Sequence, residues 1–276
     1  MADTVFEADD DERRLYEQLG ERPIDELTGV VSASGVRGVQ VQAEQQWTLV
    51  FTFEAWRVGP DAVQTNKLVV RRKVSDEELK AFQDRIDADT VIKIAARVAN
   101  DNVFGSPQAL MEEFIGNDTA DTELHDYLAE LQEPVTHSDV FFGQFTLDRS
   151  VGDYSTNCQW NDVPVELRLW IDDPDDLEAT LKVARVLWDD STAWDQRIRD
   201  CAAKDLLPLK SENWQEEDGS TVTREQFESR MTLESITVHA DGSFDVCYND
   251  GELFFGHEIV VYGSIGNGMS SAGIQG

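Results

Sequence analysis

Lysine is scarce in this chain. Seven lysines stand beside sixteen arginines, and these 23 cations face 55 carboxylates, for a formal net charge of -32. The imbalance is even: residues 1–135 hold 28 acidic and 13 basic side chains, and residues 136–276 hold 27 and 10. An interaction tail would gather its charge in one block, so here the whole surface is acidic. Phosphate binding rests on clustered Lys and Arg, and the balance therefore argues for no nucleic acid as partner and no membrane adhesion. Two readings of the acidity stand. One is adaptation to molar salt, where the screening length is about 3 Å and self-repulsion is tolerable. The other is an ordinary acidic cytoplasmic protein.

Other absences narrow the chemistry. The three cysteines, Cys158, Cys201 and Cys247, form no CxxC pair, which excludes a disulfide framework and a Cys-rich zinc site. There are four histidines, His125, His137, His239 and His257, and no HExxH. No GxSxG, Walker loop or dinucleotide GxGxxG occurs, so neither a cofactor nor a metal is expected. No apolar run approaches the roughly 20 residues of a membrane span. The opening MADTVFEADDDERR is acidic and lacks the apolar core of a signal peptide, which points to the cytoplasm.

What is present is a real core, with 41% hydrophobic residues over 276 positions, enough for two ordinary domains. Residues 1–24 read as an acidic arm followed by a short helix from Asp10 to Leu19. Residues 25–117 read as a β-rich domain. Gln46–Arg57 and Lys67–Lys73 carry aromatic and β-branched strand residues, and Thr90–Val98 alternates. Ser75, with Glu78 three residues on, opens a helix through a capping box. Ala109–Ile115 is open between helix and strand. Strands with one late helix predict a small barrel of the oligonucleotide/oligosaccharide-binding type, with a plain α+β domain as the alternative. Residues 118–137 read as a linker, of which Asp118–Pro134 is polar, partly helical and ends at a proline.

Residues 138–276 read as an α+β domain with a mostly antiparallel sheet. Val140–Leu147, Tyr154–Trp160 and Pro164–Ile171 are strands. Asp173 and Pro174 start a helix, a second opens near Ser191, and Thr223 with Gln226 caps a third. Thr232–Val238, Ser243–Tyr248 and Glu258–Tyr262 return to β, with Asp241-Gly242 and Asp250-Gly251 predicting hairpin turns. GSIGNG at 263–268 reads as a loop or tail. The fold class is thus α+β, in two β-rich domains.

The stretches WDQRIRDCAAKDLLPLKSENW (194–214) and REQFESRMTLESITVHADGSFDVCYNDGELFFGHEIVVYG (224–263), with the closing AGIQG, resemble a bacterial and archaeal family of unknown function. Its signature is DG-[DE]-LF-[FW]-GH, and Trp194, Asp195, Asp250, Gly251, Leu253, Phe254, Gly256 and His257 match. The resemblance covers about half the chain and implies no catalytic role.

The candidate functional residues are therefore His257, Gly256, Asp250, Glu252, Trp194 and Asp195. Gly256 would make a bulge that aims His257 into a groove, and Asp250 with Glu252 would supply paired acids. His239 approaching His257 would make a metal or general-base cluster. Against this stand a plain turn at Asp250-Gly251 and a hydrogen-bonded structural histidine. Two functions follow. One is a non-catalytic binding or interaction module with a protein or small-molecule partner. The other is a hydrolase-type enzyme with its site around His257, Asp250 and Glu252.

Overall fold

The computed structural model describes residues 3–40, 46–118, 120–214 and 221–275, in two compact units that divide between Glu133 and Pro134. In the N-terminal unit, β1 (Asp25–Val31) pairs antiparallel with β3 (Trp47–Val58) and with β5 (Val91–Ala99). β3 pairs with β4 (Leu68–Val74), β4 runs parallel to β6 (Gln108–Asn117), and β6 returns to β5. The five strands close into a barrel in the order β1-β5-β6-β4-β3-β1, the small Greek-key barrel expected from the sequence. The short β2 (Arg37–Val39) takes over as partner of β3 at residues 48–50.

Period-2 alternation fills the barrel. Phe51, Phe53, Leu68, Val70, Ile92 and Ile94 turn inward and are sealed from solvent, each such side chain contributing about 1.5–3 kcal/mol by burial. The ambiguous segment 109–115 is the strand β6, because a closed barrel needs its fifth member. α2 (Asp76–Gln83) has the capping box read from the sequence: Ser75 Oγ accepts the Glu78 amide at 3.2 Å and Glu78 accepts the Ser75 amide at 2.8 Å. α1 (Asp3–Gly20) starts inside the stretch expected as an arm. Its acidic run supports helix, because Asp10 and Asp11 pair with Arg13 and Arg14 three residues on. The stretch expected as a linker carries α3 (Thr122–Gln132), whose Leu124 and Leu128 are buried beside Val30, Ala55 and Val91.

The C-terminal unit is an eight-stranded sheet whose strands follow chain order throughout, antiparallel but for one parallel pair. β7 (Thr136–Asp139), β8 (Gly143–Asp148), β9 (Asp153–Trp160) and β10 (Val163–Trp170) form a meander. The stretch 140–147, read as one strand, is therefore interrupted at 140–142. There Asp139 takes the amides of Phe141 and Phe142 at 2.8 and 3.0 Å and pairs with Arg185.

β11 (Thr232–His239), β12 (Ser243–Asn249), β13 (Glu258–Ser264) and β14 (Gly268–Gln275) make a second meander. β10 and β11 are parallel, and a parallel join needs a long crossover. The crossover holds α4 (Leu177–Asp189), α5 (Ser191–Asn213) and α6 (Arg224–Arg230). Ahead of α4, Pro174–Asp176 form a single 3₁₀ turn capped by Asp173. The core gathers Leu167, Leu169, Leu181, Ile198, Ile236, Val246 and Val261, leaving the opposite sheet face polar, as antiparallel sheets permit. GSIGNG, read as a loop or tail, holds the turn at residues 265–267 between β13 and β14; the residues after it form the edge strand β14, whose Ala272 amide donates to the Asp205 carboxylate of α5 at 3.0 Å.

Candidate functional site

The signature stretch is a loop rather than a tight hairpin. The turn at Asp241-Gly242 is short, with Asp241 accepting the Ser243 amide at 2.8 Å. At Asp250-Gly251 eight residues separate β12 from β13. The reason is the side chain of Asp250, which is 1% exposed. One of its oxygens accepts the Glu252 amide at 3.0 Å, and the other accepts the amides of Phe254 at 2.5 Å and Gly256 at 3.2 Å. The loop is wound around one buried carboxylate. Gly251 sits at φ +55, and a Cβ there would lie 2.4 Å from the Arg230 carbonyl oxygen. Arg230 Nε in turn donates to the Gly251 carbonyl at 2.8 Å.

His257 is half-buried at the end of this loop. Its Nδ1 donates to the Phe254 carbonyl at 2.7 Å, and its ring meets Trp214 edge-on at 5.3 Å. Glu252 and Phe255 are exposed, both at positive φ. His239 does not approach His257. β13 begins at Glu258, which pairs with Asn249, and Asn249 pairs with Thr232. His239 lies seven residues further along β11, about 23 Å away at about 3.3 Å per residue. His239 instead faces Asp245 at 3.4 Å.

Trp194 is buried against Phe244. Asp195 accepts from Trp160 Nε1 at 3.3 Å and from Arg199 Nε at 2.9 Å. Arg199 then donates to the Glu228 carbonyl of α6 at 2.9 Å. α6 links Asp195 to the Asp250 loop, Arg199 tying it to one side and Arg230 to the other, and the Arg199 guanidinium also lies 5.3 Å from the ring centre of Tyr248. This arrangement organises backbone. Asp250 has both oxygens committed to amides, a poor setting for proton transfer.

The open sheet face forms a trough of about 470 Å³, lined among others by Glu166, Arg168, Glu234, Asp245, Cys247 and Glu258. A bulge between Leu233 and Ser235 turns Glu234 to this side. The ligand atoms of Glu234, Cys247 and Glu258 lie within 4.8 Å of one another, a grouping the sequence hides on three strands. Burial and then Glu258 push the Cys247 thiol up to about 12, and burial pushes Cys158 up to about 11. Both stay protonated at neutral pH and are not ready nucleophiles.

The barrel carries the feature the composition concealed. Register aligns Arg37 of β2 with Val50 of β3, and Val50 with Arg71 of β4. The next row is Val39, Thr48 and Lys73. Cross-strand partners share a face, so Arg37, Arg71 and Lys73 stand together on the outside of the barrel. Arg71 Nε donates to Gln108 at 3.1 Å, and its guanidinium lies 5.6 Å from the ring centre of Phe104, which is 45% exposed on the β5–β6 loop.

The two units are thus β-rich domains of an α+β protein. Residues 139–274 match the family described as "Uncharacterized protein conserved in bacteria (DUF2262)". The C-terminal unit is thus similar to this uncharacterised bacterial family, and residues 12–131 match a "Domain of unknown function (DUF7021)". No curated protein matches the chain in sequence.

A solved structure titled "Structure and Conformational Change of a Replication Protein A Heterotrimer Bound to ssDNA" matches at 11% identity and a TM-score of 0.29. The match covers 56% of this chain and 40% of that one. At this score the match assigns neither fold nor ligand; the exclusion of nucleic acid drawn from composition is withdrawn because of the cationic row on the barrel face. The physical error in the exclusion is plain: a net charge averaged over 276 residues says nothing of Arg37, Arg71 and Lys73 on one face. Among the described residues no helix is long and apolar enough to cross a membrane.

Proposed function

We propose that this is a non-catalytic binding protein whose N-terminal barrel takes a short single strand of nucleic acid across the outer face of β2, β3 and β4. The observation that carries the reading is the cross-strand cluster of Arg37, Arg71 and Lys73 with Phe104 against Arg71. Single strands are held by cations that follow the backbone and by aromatic rings on which bases stack. In five-stranded barrels of this kind, that face and its flanking loops are where oligonucleotides lie. Phe104 supplies the ring, and Val50 and Val69 give the strand an apolar floor.

The surrounding acidity shapes the salt response. At about 0.01 M salt the screening length is about 30 Å, and at 0.15 M about 8 Å. The field of the whole chain repels a strand in the first case but not in the second, while contacts at the cluster survive. Affinity therefore rises and then falls as salt increases. Fluorescence anisotropy with a labelled oligothymidylate of about 15 nucleotides tests the reading. Arg71→Glu should abolish binding and Phe104→Ala should weaken it about tenfold, in line with 1–3 kcal/mol per stacked base. Binding that Arg71→Glu leaves unchanged would refute the assignment.

A further inference from the structure

We propose that α1 is a built-in competitor for the cationic barrel face, its Glu12 carboxylate holding Lys73 in place of a nucleic-acid phosphate. The inference rests on the reading of that face given above. Glu12 lies 3.9 Å from the Lys73 ammonium, and the same ammonium sits 5.8 Å from the centre of the Tyr16 ring. Both partners come from one helix, one turn apart, so α1 offers Lys73 an anion and an aromatic ring together. Those are the two groups a nucleotide would offer.

The helix is fastened at its other end. Leu15 and Leu19 are fully buried with Ala99, beside Leu110. Leu110 is the register neighbour of Arg71, which places the anchor against the cluster. The Gly20 carbonyl accepts from Arg97 at 3.2 Å. Towards the N-terminus the acids Asp10 and Asp11 are paired within the helix by Arg13 and Arg14. Among the described side chains of that run, Glu12 reaches Lys73. The Glu12–Lys73 pair is partly exposed on both sides, and such pairs are weak and easily exchanged. This contact can therefore yield to an incoming phosphate without unfolding the helix, whose leucine anchor stays in place.

The test uses the full chain and the labelled oligothymidylate. Glu12→Gln should bind about three- to fivefold more tightly than the parent, since one exposed pair of this strength no longer competes. Asp11→Asn, which removes the same charge one residue away, should change affinity less than twofold. In a Lys73→Met background the gain from Glu12→Gln should vanish. Equal gains from Asp11→Asn and Glu12→Gln, or a gain that persists without Lys73, overturn the competitor role and leave the face as a binding site. Parent and Glu12→Gln binding equally, while Arg71→Glu does not bind, has the same meaning. No binding by any variant overturns the face and the competitor together.

Discussion

Replacing Asp250 with asparagine separates a structural signature from a chemical one. The carboxylate accepts three amides through two oxygens at a fully buried position. Asparagine keeps one oxygen. Its best orientation turns that oxygen to Phe254 and Gly256, and sets its own NH₂ against the Glu252 amide. Two charge-assisted bonds become neutral, at about 1 kcal/mol each, and one amide loses its acceptor, at about 1–2 kcal/mol. The sum is about 3–4 kcal/mol, a large share of the roughly 5–15 kcal/mol that holds a domain together. For a unit of this size 1 kcal/mol moves the midpoint by about 3–4 °C, so the melt should fall by about 10–15 °C. Tryptophan fluorescence reads the correct unit, because Trp160, Trp170, Trp188, Trp194 and Trp214 all lie in it and only Trp47 and Trp56 do not. A midpoint within about 3 °C of the parent would refute the reasoning, and would return Asp250 to the list of groups kept for their chemistry.

Three further outcomes follow from the same geometry. Gly251→Ala should cost at least about 2 kcal/mol by chemical denaturation, through positive φ and the 2.4 Å approach to the Arg230 carbonyl; a neutral result would mean that the loop and α6 shift apart freely. The hydrogen bond that His239 donates to Asp245, opposed by burial, raises His239 above the ordinary imidazole value. Its stabilising contribution is therefore fully present below the ordinary value and lost as pH rises through the raised one. The stability difference between the parent and His239→Gln should shrink between about pH 6 and pH 8, and a difference that grows would reverse the sign of the argument. If the acidic surface reflects life in strong salt, the thermal midpoint should climb from low to molar KCl, and a flat or falling midpoint would exclude it.

Much of the architecture was legible because it depends on local pattern. QWTLVFTFEAWR alternates strongly enough to announce β3, and the Ser75 and Thr223 boxes mark α2 and α6 at their first residues. β1 and β14 were missed for the opposite reason. DELTGVV and GMSSAGIQ carry glycine and small polar residues that score poorly as strands; β1 is held between β3 and β5, and β14 by β13 on one side and the Asp205 carboxylate of α5. Asp250-Gly251 misled because the turn rule assumes an aspartate exposed at the corner, whereas this one is buried and gathers amides up to six residues ahead. The barrel face was the least visible. Arg37 and Arg71 are 34 positions apart and become neighbours only through β3. The one local hint was RRK at 71–73, the only run of three cations in the chain.

The hydrogen bond between Asp205 and the Ala272 amide has a consequence beyond the monomer. An open edge strand is a template on which another chain can add its own, and antiparallel sheets of this width are exposed to it. β14 is rich in small residues and stands at the edge of the sheet. With the Ala272 amide already claimed by α5, an arriving strand finds its ladder broken at midpoint and a carboxylate standing in its path. One aspartate on a helix thereby guards the β14 edge of the sheet against the addition of a foreign strand.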